Sequence, residues 1–407
     1  MVNRPARTSH RLTPQLALMG GIMAISPMSV DMYLPAFPAI GHDLHATAAE
    51  VSNTLAVFLF GMGLGQLFTG PIADRYGRRR PLLAGLAAFA LTAVLCAVAT
   101  DIGLFTFARA LAALAVCMTS VCIRAMVRDR YDPVEGARVM SIMMLVSGLG
   151  PVLGPLAGSL VLALAHWRVI FWVLTLAGIL FLLAALRTLP ESQPREARSS
   201  LAPGAVARDY LALLRSRDLL VPSMAAGLTF FGVFAYIAGT PSVLIAGRGL
   251  SQTTYALIFG TNALGMVVLS QFNRRWLTRH HPLRLLRRAM RVQAAATAVG
   301  LGLACFGPLP LPVLWATLLC YLAPVSLVGG NSTVLAMARH GKQAGKAAAV
   351  NGMVGMAVGG LGATAVGLLH DGTERPVLLL MCSASLAALA LVHLLPPAPD
   401  GAPADAN

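Results

Sequence analysis

Acidic side chains are scarce in this chain of 407 residues: sixteen Asp and Glu stand against 31 Lys and Arg, and charged residues make up only 12% of the sequence. A water-soluble protein of this length needs more charge than that to cover its surface, so an ordinary soluble fold is excluded. Also missing are a G-x-S-x-G, an H-E-x-x-H, a P-loop and any cluster of His with Asp or Glu. Without them the usual equipment of hydrolases and nucleotide-driven enzymes is absent, and no enzyme activity is expected. The six cysteines (Cys96, Cys117, Cys122, Cys305, Cys320 and Cys382) form no C-x-x-C pair and have no companion histidines. They read as small packing residues and imply neither a disulfide nor a metal site. No cofactor is expected.

What is present is apolar. Hydrophobic residues make up 57% of the chain and the mean hydropathy is +0.73. Twelve apolar runs can be drawn, at about 15–39, 51–72, 81–100, 102–126, 138–163, 168–189, 219–243, 254–276, 288–306, 309–336, 346–369 and 376–395, each close to the ~20 residues that cross a bilayer as a helix. The expected fold is an all-α polytopic membrane protein of twelve transmembrane helices. The first run is too long for a signal peptide and lacks an A-x-A cleavage pattern, so it is expected to stay as the first span.

The basic residues set the orientation. With a cytoplasmic N-terminus, all Lys and Arg except Arg109, Arg168, Arg248 and Arg375 fall in inside segments or at inner helix ends. This bias puts both termini in the cytoplasm. The net charge of +15 is thereby divided among short loops that face anionic lipid, which argues against nucleic-acid binding.

A polar, Pro/Ser-rich stretch divides the chain into an N-terminal six-helix half (1–187), a cytoplasmic linker (188–218), a C-terminal six-helix half (219–396) and a disordered cytoplasmic tail (397–407). Six spans on each side point to two pseudo-repeats around a central cavity. A shift of 200 residues sets Gly65, Arg75, Tyr76 and Arg79 against Gly265, Arg275, Trp276 and Arg279.

Asp31 is the only acid deep inside an apolar run, in Ile25-Ser-Pro-Met-Ser-Val-Asp31-Met-Tyr-Leu-Pro35. An intramembrane carboxylate costs at least about 2.5 kcal/mol, so it reads as functional, and proton carriage is the expected role. Arg109 lies about 10 Å into the fourth span from its outer end and Asp31 about 12 Å into the first, so the two share a level. A neighbouring arginine favours proton release from the acid, and desolvation opposes it. The alternative for Arg109 is snorkelling to the outer headgroups.

Gly70-Pro-Ile-Ala-Asp74-Arg75-Tyr-Gly77-Arg78-Arg79-Arg80 resembles the signature loop between helices two and three of the major facilitator superfamily. Asp31-Met-Tyr-Leu-Pro35-Ala-Phe-Pro38, Arg124-Ala-Met-Val-Arg128-Asp129 and Trp167-Arg168-Val-Ile-Phe171-Trp172 resemble its Bcr/CflA drug-resistance branch. The resemblance implies the major facilitator fold and a gating role for Asp74, Arg75, Gly77 and Arg78. In it, the acid lies against a neighbouring helix N-terminus and a basic residue to latch one conformation. A loop that merely fixes topology is the alternative.

Gly148-Leu-Gly150-Pro151-Val-Leu-Gly154-Pro155-Leu-Ala-Gly158 in the fifth span resembles the signature of superfamily antiporters. On spacing alone, such a row is a smooth face for close helix packing, with prolines that bend the helix. The family's Arg-x-x-Gln-Gly element is only partly present, because Ala112 and Ala113 follow Arg109 where Gln-Gly would stand. Tyr33, Asn53, Gln66, Tyr236, Asn262, Asn331 and Asn351 are candidates for a substrate cavity, or else interhelical hydrogen-bonding residues. The resulting expectation is a monomeric, proton-coupled drug or metabolite exporter in a bacterial inner membrane, with protons, lipid and a small-molecule substrate as its partners. Proton-coupled uptake by the same fold and a non-transporting membrane sensor are the alternatives.

Overall fold

The computed structural model describes residues 14–194, 203–338, 340 and 343–395. Twelve long helices are found among the described residues, and no strand. The first six are α1 (Pro14–Asp43), α2 (Ala48–Tyr76), α3 (Arg79–Ala97), α4 (Ile102–Arg130), α5 (Pro133–Leu164) and α6 (Arg168–Thr188). The second six are α7 (Arg217–Gly247), α8 (Gln252–Trp276), α9 (Pro282–Ala304), α10 (Leu311–Met337), α11 (Ala344–Leu368) and α12 (Arg375–His393), with a short helix at Pro203–Leu213 before them.

Eleven of the twelve are apolar enough to cross a membrane by hydropathy alone. The other, α9, is 23 residues long and carries four arginines, Arg284 to Arg291, near its start. Arg4, Arg7, Arg11, Arg195, Arg198, Arg339, Lys342 and the tail from 397 onward lie outside the described residues.

Local chemistry sets the helix ends. Thr47 caps α2 by accepting the Glu50 N–H, and the Glu50 carboxylate accepts the Thr47 N–H at 2.8 Å, which completes a capping box. Ser251 caps α8 in the same way by accepting the Thr254 N–H at 3.1 Å. Tyr76 and Trp276, matched by the 200-residue shift, both end their helices. The two halves thus repeat at the level of caps and ends.

At the end remote from most arginines, each half closes on an ion pair between its first and sixth helices. In the N-terminal half Arg168 of α6 pairs with Asp43 of α1 and donates to the Ala99 carbonyl in the α3–α4 turn at 2.9 Å. In the C-terminal half Arg248, just after α7, pairs with Glu374, just before α12, at 2.8 Å and donates to the Leu309 carbonyl before α10 at 2.7 Å. The acid and the base exchange places, but the connection is the same. Each tie holds a six-helix half together where its loops are short.

The halves meet along α2 with α11 and α5 with α8. Glycines make the first seam close: a Cβ at Gly63 would meet the Met353 carbonyl at 3.2 Å, and one at Gly360 would meet the Phe60 ring at 3.0 Å. On the second seam Ser159 of α5 donates to the Gln252 carbonyl of α8 at 3.0 Å.

Candidate functional site

The site begins where α1 breaks. Pro35 has no N–H to give to the Asp31 carbonyl, so regular hydrogen bonding stops there. The last turn closes with Met32 N–H on the Met28 carbonyl at 3.1 Å, a 3-10 turn follows at Leu34–Ala36, and the helix resumes at Phe37. Asp31 is therefore the final residue of the first regular segment. It is 3% exposed, and its carboxylate makes no hydrogen bond or ion pair among the described residues.

The glycine row of α5 is what admits this broken segment. A Cβ at Gly150 would strike the Pro27 ring at 2.5 Å, and one at Gly154 would lie 2.8 Å from the Asp31 Cβ. One at Gly158 would collide with the Met32 carbonyl oxygen. Glycines four apart thus follow α1 from Pro27 to Met32, as small-residue packing requires. Pro155 is buried and Pro151 half-buried on the same helix. The Ser159 hydroxyl takes up the Pro155 carbonyl at 2.8 Å.

On the C-terminal half, the Tyr236 hydroxyl of α7 and the Tyr255 hydroxyl of α8 lie within electrostatic reach of Asp31. Asn262 Nδ2 donates to the Tyr236 hydroxyl at 3.2 Å, and the Tyr236 ring stacks on Phe259 at 5.5 Å. Asn262 Oδ1 is buried with no hydrogen-bond partner among the described residues. Sequence reading named Tyr236 and Asn262 but missed Tyr255. Its signal was present, because Tyr255, Phe259 and Asn262 are spaced four and three apart and share one face of α8.

Tyr33 and Arg109 form a separate cluster inside the N-terminal half. The turn after Asp31 sends Tyr33 the other way, against Phe37, Phe105 and Phe171 at 5.1–6.4 Å, with its hydroxyl 3.3 Å from Thr54 Oγ1. The Arg109 guanidinium lies 4.4 Å from the Tyr33 ring centre and 4.2 Å from that of Phe58. At 1% exposure it does not snorkel to the headgroups. Its Nε and Nη2 have no hydrogen-bond partner, and no ion pair joins it to Asp31 among the described residues. Its charge is held between aromatic faces. Ala113 stands where α2 crosses α4, since a Cβ at Gly61 would lie 2.8 Å from the Ala113 Cβ.

The signature loop forms a charge network at the arginine-rich end. Arg78 pairs with Asp74 at 2.5 Å and with Asp129 of α4 at 3.0 Å. Arg75 stacks over Tyr76 at 5.4 Å. Gly77 turns the chain at φ 85°, ψ 173°, a conformation almost confined to glycine.

The acid at a helix N-terminus is Glu191, not the expected Asp74: its carboxylate accepts the backbone N–H of Arg78 at 2.8 Å and of Arg79 at 3.3 Å, at the start of α3. Burial pushes the Glu191 carboxyl up, but the N–H donors of Arg78, Gln193, Arg79 and Ser192 outweigh it and hold the group below the ordinary Glu range. Sequence reading missed Glu191, whose signal is an acid beside Pro190 directly after α6, in a segment otherwise rich in arginine.

The other polar candidates are dispersed. Asn331 is buried between α10 and α8, where it donates to Asn273 Oδ1 at 3.1 Å. Gln66 lies over Gly352 at the α2–α11 seam, and Asn351 Nδ2 reaches Thr333 at 3.4 Å. Asn53 is exposed on α2 and makes no hydrogen bond among the described residues. Of the seven polar candidates, only Tyr236 and Asn262 gather opposite Asp31. No group of three potential metal ligands occurs among the described residues.

Comparison with known proteins agrees with this architecture. The family model described as Major Facilitator Superfamily matches residues 19–367. An uncharacterised MFS-type transporter, YdgK of Bacillus subtilis, is 33% identical over 365 residues, 89% of this chain and 90% of that protein. A bicyclomycin resistance protein homolog of Haemophilus influenzae is 30% identical over 370 residues, 89% of this chain and 91% of that protein. Among solved structures, a D-xylose-proton symporter superposes with a TM-score of 0.76 at 17% identity, covering 94% of this chain and 97% of that one. With twelve helices in two related halves and relatives named for antibiotic resistance, the chain belongs to the Major Facilitator Superfamily and is a multi-pass membrane transporter, not an enzyme.

Proposed function

We propose that the protein exports small lipophilic drugs or metabolites from the bacterial cytoplasm in exchange for protons, by alternating access of its two six-helix halves across the inner membrane. The observation that carries the reading is Asp31: an acid 3% exposed, unpartnered, at the break of α1 and seated on the α5 glycine row. An intramembrane acid with no structural partner has a reason to exist in carrying charge. Proton and substrate would then compete for it, substrate entry from the inside favouring release and reprotonation from the outside favouring the return.

Antibiotic-resistance naming of a relative supports drugs as the substrate class. The arginine-rich loops support cytoplasmic termini. Arg109, expected from helix rise to share the level of Asp31, is proposed to tune proton transfer through the field of its charge. Asp74, Arg75, Gly77, Arg78 and Glu191 are proposed as a cytoplasmic latch, and Tyr236, Tyr255 and Asn262 as the polar wall of the substrate site.

A growth-inhibition panel in a drug-sensitive bacterium tests the class. Expression should raise resistance to some antibiotics of the panel, which includes bicyclomycin, and a protonophore should restore their accumulation. Unchanged sensitivity across a chemically broad panel, with the protein present in the membrane, would contradict drug export.

A further inference from the structure

One crevice on the C-terminal half combines an apolar floor with a surplus of positive charge. It lies between α8, α9 and α10, encloses about 280 Å³, and is walled by Leu269 and Trp276 of α8, Val292 of α9 and Leu327 of α10, with His280 and Arg288 also lining it. Leu269 precedes Trp276 by two turns, about 10 Å along the helix. The groove therefore runs from the level of an interfacial tryptophan toward the hydrocarbon.

The charge around it has no internal answer. From Asp218 to Asp371 the chain has no other Asp or Glu, and seven arginines lie between Arg274 and Arg291. Four of those occupy the first turns of α9, whose first turn holds no acid. The positive end of a helix repels cations, so this placement is unfavourable unless an anion from outside joins it. Arg287 gives Nη2 to the Val392 and Leu395 carbonyls at 3.3 and 3.1 Å. Arg288 is exposed, lines the groove and makes no hydrogen bond or ion pair among the described residues. Arg291 follows one turn later on the same face.

We propose that this groove holds one anionic phospholipid, with its phosphate on Arg288 and Arg291 beside His280 and an acyl chain along Leu269, Trp276, Val292 and Leu327. A lipid with a neutral headgroup fills the same apolar space but leaves the arginine charge unanswered, so the site selects for net negative charge. Neither the substrate nor the direction of transport enters this inference.

Native mass spectrometry of the full-length protein, with phosphatidylglycerol or phosphatidylcholine of identical chains added, tests it. The expected result is one retained phosphatidylglycerol, bound at least about fivefold more tightly than phosphatidylcholine. Arg288→Gln and Arg291→Gln should each weaken it by roughly fivefold. Arg215→Gln in the linker region should change nothing. Val292→Trp, at an exposed position, fills the groove without altering charge and should expel the lipid even if the arginine variants fold poorly. Equal binding of the two lipids, or phosphatidylglycerol retained undiminished by Val292→Trp, would overturn the proposal. So would binding that appears only after residues 396–407 are removed, because the tail, with Asp400 and Asp405, would then be the occupant.

Discussion

Replacing Gly154 by alanine puts one methyl group between α5 and the proposed proton site. The new Cβ would lie 2.8 Å from the Asp31 Cβ and 3.3 Å from the Met32 nitrogen. To restore a contact of about 3.4 Å, α1 must retreat by roughly 0.6 Å, and overpacking of this kind costs about 1–3 kcal/mol. Alanine also favours the helix over glycine by up to about 1 kcal/mol, which masks part of the cost.

Gly148 supplies the control. A Cβ there meets only Val267, at an ordinary 3.8 Å. Gly148→Ala therefore receives the helix gain without the clash, and the propensity term cancels in the difference. Gly154→Ala should be less stable than Gly148→Ala by about 1–3 kcal/mol, measured as denaturation midpoints in one detergent. Its transport should slow as Asp31 is displaced. Gly158→Ala should be worse still, since its Cβ meets a backbone carbonyl that cannot rotate away. Equal stability and transport for Gly148→Ala and Gly154→Ala would refute the idea that the glycine row positions Asp31.

Three further outcomes follow from the same geometry. Arg109→Met keeps an unbranched apolar stem and removes a buried charge whose Nε and Nη2 have no partner, so the thermal midpoint should hold or rise while proton-coupled transport falls at least about tenfold; wild-type transport would make Arg109 purely structural. Glu191→Gln should lower the thermal midpoint near neutral pH. Because the folded carboxyl titrates below its ordinary value of 4.5, its contribution is complete above that value and is lost as pH falls through the folded pKa. The gap between wild type and Glu191→Gln should therefore stay level from about pH 6 to 8 and close only in strong acid, and a gap that opened toward acid would contradict the latch. With one acid and one proton per cycle, export of a monovalent cation is electroneutral, whereas export of a dication works against about 2.3 kcal/mol per 100 mV; efficient dication export independent of a valinomycin-set potential would require a second proton site.

Hydropathy and arginine placement made the helices legible in the sequence, because a membrane span must be both long and apolar. The start of α9 was less so. Sequence reading put the span at 288–306, whereas the helix begins at Pro282, since Arg284 and Arg287 look like a loop until they are seen as the charged edge of an amphipathic helix. Asp31 was legible as a lone acid among apolar residues. The orientation of its neighbour was legible in part, because two residues on from Asp31 is about 200° around a helix and turns Tyr33 away; that it packs in the Arg109 cluster was not, because that depends on contacts with other helices.

Asn331 illustrates another limit, since a buried asparagine in a span looks the same whether it meets a ligand or, as here, Asn273. The glycine row of α5 was legible as a packing face, but its partner was not. That the partner is the Asp31 segment itself depends on contacts between helices more than a hundred residues apart in the chain.

Proton movement evoked by substrate tests the central claim most directly. Wild-type protein and Asp31→Asn would be reconstituted into vesicles holding a pH-sensitive dye, with binding of a substrate identified in the growth panel measured in parallel to show that the variant is folded. Wild type should change the lumenal pH on substrate addition, Asp31→Glu should do so in part, and Asp31→Asn should bind substrate but move no protons. An Asp31→Asn protein that still shifts the lumenal pH at the wild-type rate would contradict Asp31 as the proton carrier.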